Sequence, residues 1–162
     1  MKLLKYIFQY KKITNVDEKT HEERVGYYPI IPCVFEWGGK KTRLLDGLLD
    51  SGSDGIVIPL VLAEYLELNL IPEDDPMRVV GYEIERYNAK LNLTLGRSGR
   101  YVTLNDIEAS VPKKEDGVPI LIGRNPIFKL YEVTFKEGEV GGAIVLTPQA
   151  ETSKKKKGKK RR

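Results

Sequence analysis

The chain is short of the side chains that most often carry chemistry. It has one cysteine, Cys33, and one histidine, His21, in 162 residues. No intrachain disulfide can therefore form, and the His/Cys cluster that a zinc site needs is missing. His21 sits in a polar segment well upstream of Cys33, and Cys33 lies inside the apolar run 30–35. A cysteine placed in this way reads as a small buried hydrophobe, not as a thiolate nucleophile. No glycine-rich loop ends in Lys-Ser or Lys-Thr, so no phosphate cradle is marked. No apolar stretch is long enough to span a bilayer, and Met1-Lys2-Leu3-Leu4-Lys5 leads into a tyrosine- and lysine-rich segment without a signal-peptide core. The expectation is a cytoplasmic protein that needs no metal or cofactor and makes no membrane contact. No repeat of fixed period is present.

Charge is abundant but unevenly placed. The net charge is +4, yet Lys154, Lys155, Lys156, Lys157, Lys159, Lys160, Arg161 and Arg162 crowd the last ten residues without an acidic partner. Taking those eight positives from +4 leaves −4 on the rest of the chain. The body is thus mildly acidic, and the basicity belongs to an extension expected to be disordered. Such a tail suits weak polyanion contact through charge alone, without base-specific readout.

A chain of this length supports one core with appendages. The expected division is an N-terminal extension with a possible strand (1–24), one domain (25–147) and the basic tail (148–162). Residues 15–23 are charged and turn-like. Cys33 to Trp37 followed by Gly38-Gly39 reads as a strand entering a hairpin, and residues 44–49 as its return. Pro59 can open a short helix carrying Leu60, Leu62, Ala63, Leu66 and Leu68 that ends before Pro72. An acidic loop, Glu73-Asp74-Asp75-Pro76, then leads to two β-rich arms around Gly81. Leu91-Asn92-Leu93-Thr94-Leu95 alternates strictly, and strands follow at 101–111, 131–135 and 143–147, with a short helix at 126–130. The class is all-β.

Two motifs carry the functional signal. The first is Leu48-Leu49-Asp50-Ser51-Gly52-Ser53-Asp54, with the apolar Ile56-Val57-Ile58 close behind. It places a carboxylate at the end of one strand, with a turn glycine two residues on and a new strand after it. Taken alone, the triplet is also the material of an ordinary Asx turn. The second is Val118-Pro119-Ile120-Leu121-Ile122-Gly123-Arg124-Asn125, about seventy residues downstream. Together they resemble the retropepsin family of aspartic proteases, whose signature is two apolar residues, Asp, Ser or Thr, Gly, and later two apolar residues, Gly, Arg, and Asn or Asp. The resemblance covers about residues 32–135. It implies a retropepsin-like closed barrel or sandwich (the acid protease fold) with short helices and a flap hairpin.

Peptide hydrolysis by this chemistry needs two carboxylates, one to take a proton from water and one, protonated, to hydrogen-bond the carbonyl. No second Asp-Ser/Thr-Gly exists; Asn105-Asp106-Ile107 lacks the glycine. The resemblance therefore implies a homodimer that contributes one Asp50 per subunit and acts on a peptide or unfolded protein. It further implies that Ser51 orients the dyad, that Gly52 leaves room for substrate, and that Asp54 accepts substrate backbone hydrogen bonds and pairs with Arg124. By position, Gly81 and Tyr82 would be the flap tip, although a plain surface hairpin fits the same residues. The alternatives are a retropepsin-fold module that binds peptides or partners without cleaving them, and a nucleic-acid-associated protein recruited through the tail.

Overall fold

The strict alternation at residues 91–95 shows how the fold is organised. Leu91, Leu93 and Leu95 are fully buried while Asn92 and Thr94 between them are not, as a strand with one face on a core requires. Each such leucine contributes roughly 1.5–3 kcal/mol on burial. The computed structural model describes residues 5–79, 81–114 and 117–149. The lysine-rich stretch 153–162, expected to be disordered, lies outside the described residues, as do residues 1–4.

In chain order, β1 (Tyr6–Gln9), β2 (Lys11–Val16) and β3 (Glu23–Tyr28) precede β4 (Ile30–Trp37), which buries Ile31, Cys33 and Phe35 on one face. After the Gly38-Gly39 turn come β5 (Lys40–Lys41), β6 (Leu45–Leu49) and β7 (Ile56–Val57), then helix α1 (Leu60–Tyr65). The hairpin of β8 (Ile71–Val79) and β9 (Tyr82–Arg97) is followed by β10 (Arg100–Pro112) and β11 (Leu121–Ile122). Helix α2 (Arg124–Leu130), β12 (Tyr131–Glu137) and β13 (Gly142–Pro148) complete the chain.

The main sheet runs β5-β4-β6-β11-β7-β10-β9-β8, and β4 also pairs with β9. That extra ladder, Cys33↔Leu95 to Glu36↔Asn92, closes β4, β6, β11, β7, β10 and β9 into a six-stranded barrel. Its interior holds the apolar faces of those strands as one cluster, with Ala63 and Leu66 of the α1 region packed into it. A second sheet, β1-β13-β12, brings the two ends of the described chain together. Among the described residues, no helix is long and apolar enough to cross a membrane.

Two segments differ from expectation, and a third does so only at its ends. The acidic stretch 73–76 is not a loop but part of β8. Pro72 and Pro76 are tolerated there because β8 is an edge strand, and the ladder to β9 is interrupted between Glu73 and Met77. The bulge is tied down by Asn88 Nδ2 donating to Glu73 Oε2 at 2.6 Å and Arg86 Nε donating to the Asp75 carbonyl at 2.8 Å. The charged segment 15–23 turns at residues 17–22, as expected, while its two ends extend β2 and β3, which pair from Lys11↔Tyr28 to Val16↔Glu23. The turn is held by the Asp17 carboxylate, which accepts from the Lys19 and Thr20 amides, both at 2.9 Å. The first helix stops at Tyr65, because Glu67 takes a left-handed conformation (φ 53°) that redirects the chain.

Candidate functional site

Both ends of the Asp50 loop are anchored. Leu49 and Ile56 are buried, and β6 and β7 are held apart by β11, which is threaded between them. β11 runs parallel to β6 (Leu121↔Leu48, Ile122↔Leu49) and antiparallel to β7 (Leu121↔Val57, Ile122↔Ile56). Residues 50–55 must therefore arch over the end of β11. The arch is shaped by its own polar groups: Gly52 N donates to Asp50 Oδ1 at 2.8 Å, Ser53 N to the Asp50 carbonyl at 3.2 Å, and Ser53 Oγ to the Gly55 carbonyl at 2.9 Å. Asp50 N donates to the Ile122 carbonyl at 3.0 Å, fixing the root of the carboxylate to β11. One carboxylate oxygen of Asp50 is thus held by the turn, and Oδ2 has no hydrogen bond among the described residues.

The second motif is joined to the first by backbone. Gly123 N donates to the Gly55 carbonyl (3.1 Å), Arg124 N to the Ser53 carbonyl (2.9 Å) and Asn125 N to the Asp54 carbonyl (2.9 Å). The approach is too close for a side chain: a Cβ on Gly123 would lie 2.2 Å from the Gly55 oxygen and 2.6 Å from the Ser53 oxygen. Arg124 then reaches across to form an ion pair with Asp54. Both side chains are exposed in the single chain, Asp54 by 93%.

Above the arch lies a cleft of about 620 Å³. Asp50, Gly52, Ser53, Asp54 and Gly55 form its floor. Asp75, Pro76, Met77, Arg78 and Arg86, from the β8–β9 hairpin, form the facing wall. The hairpin thus stands over Asp50, but Gly81 and Tyr82 are not in the cleft lining among the described residues. They sit at the hairpin tip, where Val79 pairs with Tyr82, Gly81 has φ +84° and Tyr82 is 76% exposed. Ser51 is exposed on the arch and likewise outside the lining. Sequence reasoning missed Arg86 and Ser110, whose Nη1 to Oγ hydrogen bond of 2.7 Å spans β9 and β10 at the cleft edge. Only the register of those strands brings the two together.

Among the described residues no three His, Cys, Asp or Glu side chains form a metal-ligand group. Cys33 is far from reactive, since burial, helped by the charge of Asp46, pushes its thiol up to about 12. A carboxylate held by one oxygen and open at the other can accept a proton from water. A single such group cannot also supply the proton that a carbonyl under attack requires.

In fold and in the order of its two motifs, the chain resembles the retropepsin-like aspartic proteases. A solved structure, a retropepsin-like aspartic protease from Rickettsia conorii, is similar at 14% identity and a TM-score of 0.49, over 91% of this chain and 96% of that one. No family model and no curated protein matches.

Proposed function

We propose that the chain is one half of a homodimeric aspartic endopeptidase, with Asp50 of each subunit forming the catalytic pair. The observation that supports this most is the position of Asp50. Its carboxylate is turn-held and open at one oxygen, and it lies on the floor of the 620 Å³ cleft, in an arch locked by Gly123, Arg124 and Asn125. Because the sequence has one Asp-Ser/Thr-Gly and the chemistry needs two carboxylates, a second copy must supply the other. One Asp50 takes a proton from water while the other, protonated, hydrogen-bonds the scissile carbonyl. The water oxygen adds to the carbonyl carbon, and collapse of the tetrahedral species passes a proton to the departing nitrogen. In this reading Ser51, exposed on the arch, meets its counterpart across the two-fold axis and orients the pair. Asp54, held by Arg124, has lone pairs left for substrate backbone. The β8–β9 hairpin, with Gly81 and Tyr82 at its tip, acts as the flap.

The direct test is incubation of the full chain with an unfolded protein, with and without a statine-type transition-state inhibitor, beside Asp50→Asn. The variant keeps the shape of the side chain but cannot serve as base. Inhibitor-sensitive cleavage that disappears in the variant supports the reading. Cleavage at the wild-type rate by Asp50→Asn rejects it.

A further inference from the structure

The charged side chains lining the cleft are Asp50, Asp54, Asp75, Arg78 and Arg86. Asp54 is neutralised by Arg124, and Arg78 faces Glu83 across the hairpin at 3.6 Å. Asp50 on the floor and Asp75, exposed on the wall, form no ion pair among the described residues. Arg86 is half-buried, lines the cleft, and likewise pairs with no carboxylate among the described residues. Its partners are neutral acceptors, the Asp75 carbonyl on Nε (2.8 Å) and Ser110 Oγ on Nη1 (2.7 Å). These two bonds orient the guanidinium and leave Nη2 without a partner among the described residues. A partly desolvated cation with no carboxylate in contact is unfavourable, and an anion delivered to it recovers much of that cost. A pre-oriented guanidinium also loses little freedom on gaining a carboxylate.

We infer that Arg86 is a specificity-determining residue that selects substrate peptides carrying a carboxylate on the flap side of the cleft. This rests on the cleft being the peptide site proposed above. The carboxylate comes from an Asp or Glu side chain or from a peptide C-terminus, and the chemistry at Arg86 is the same for both. An amide in its place would leave Arg86 unsatisfied, so discrimination of Glu from Gln should be about tenfold or more, the scale of one charge-assisted hydrogen bond.

The experiment uses a fluorescent peptide series that differs only by Glu, Gln or Lys at one position at a time, each made with a free and an amidated C-terminus. Binding is measured on Asp50→Asn by fluorescence polarisation and cleavage on the wild type, so peptide selection is read separately from catalysis. The expected result is a Glu-over-Gln preference at one position, or a free-acid-over-amide preference, that is lost in Arg86→Gln and kept in Arg86→Lys. If Arg86→Gln does not fold, the preference of Asp50→Asn itself and its weakening by salt still decide the matter. Equal binding of the Glu, Gln, acid and amide peptides overturns the inference even if the protein is an active protease. A carboxylate preference in binding with no cleavage by the wild type would uphold the inference and reject the catalytic reading.

Discussion

Gly123→Ala is the most demanding test of the way the two motifs are joined. Gly123 has ordinary extended angles (φ −88°, ψ −167°), so alanine carries no conformational penalty there. Its difficulty is space. The new Cβ would lie 2.2 Å from the Gly55 oxygen, 2.6 Å from the Ser53 oxygen and 2.8 Å from the Gly55 nitrogen. All three are backbone atoms, so the arch itself must move. Overpacking of this kind costs about 1–3 kcal/mol. The same displacement strains the three hydrogen bonds from residues 123–125 to residues 53–55, each worth about 1 kcal/mol. A loss of about 3 kcal/mol corresponds to a fall in Tm of roughly 6–12 °C for a chain of this size. Activity should fall as well, because the atoms that move belong to the Asp50 arch. Gly55→Ala is the control within the same loop, since its Cβ would meet only the Asn125 oxygen, at an ordinary 3.7 Å. Thermal unfolding followed by circular dichroism, with peptide cleavage assayed alongside, compares the two. Equal and small shifts would refute the backbone junction described above.

Arg124→Ala should cost the isolated chain no more than about 1 kcal/mol, because both members of its pair with Asp54 are exposed. It should weaken dimerisation more than Arg97→Ala, as read by activity on dilution; equal effects would leave Arg124 a surface residue. Cys33 should react slowly with a thiol reagent at about pH 8 and promptly in urea, since burial lifts the thiol to about 12 and keeps it protonated. The sign for stability follows from the same shift. The folded chain keeps this proton longer than the unfolded chain, so the contribution is intact below the ordinary thiol value of 9.0 and is lost as pH climbs towards about 12. Prompt labelling of the native protein would contradict the burial. Cleavage should trace a bell with pH, lost in acid when both Asp50 carboxyls are protonated and lost in base when the shared proton leaves. A kcat/KM that rises steadily from about pH 4 to about pH 9, in folded protein, would oppose a shared proton.

Much of this was legible locally. The alternation at Leu91, Leu93 and Leu95 reports a buried face, and the spacing of Asp50, Gly52 and Ile56 reports a turn between two anchored strands. Gly123 in its apolar context marks the segment that meets that turn. What could not be read is what depends on register between distant strands. Pro72 and Pro76 argue against a strand until β8 is known to be an edge, and nothing in the order of residues sets Arg86 beside Ser110 and the Asp75 carbonyl. The pairing of β4 with β9 that closes the barrel is likewise decided by tertiary packing, as is the joining of β1 to β13. The local pattern also overextended the first helix, because the left-handed Glu67 has no strong sequence signal.

The central claim is that two copies of Asp50 share one site, and a mixing experiment tests it most directly. Wild-type chains are titrated with Asp50→Asn under conditions that allow subunit exchange. Every mixed dimer then has one carboxylate in place of two. At equal amounts, about half of the wild-type chains should be partnered by the variant and activity per wild-type chain should drop to about half, approaching one tenth at a ninefold excess. Activity per wild-type chain that stays constant across the titration, with exchange verified by a tag on the variant, would contradict a shared site.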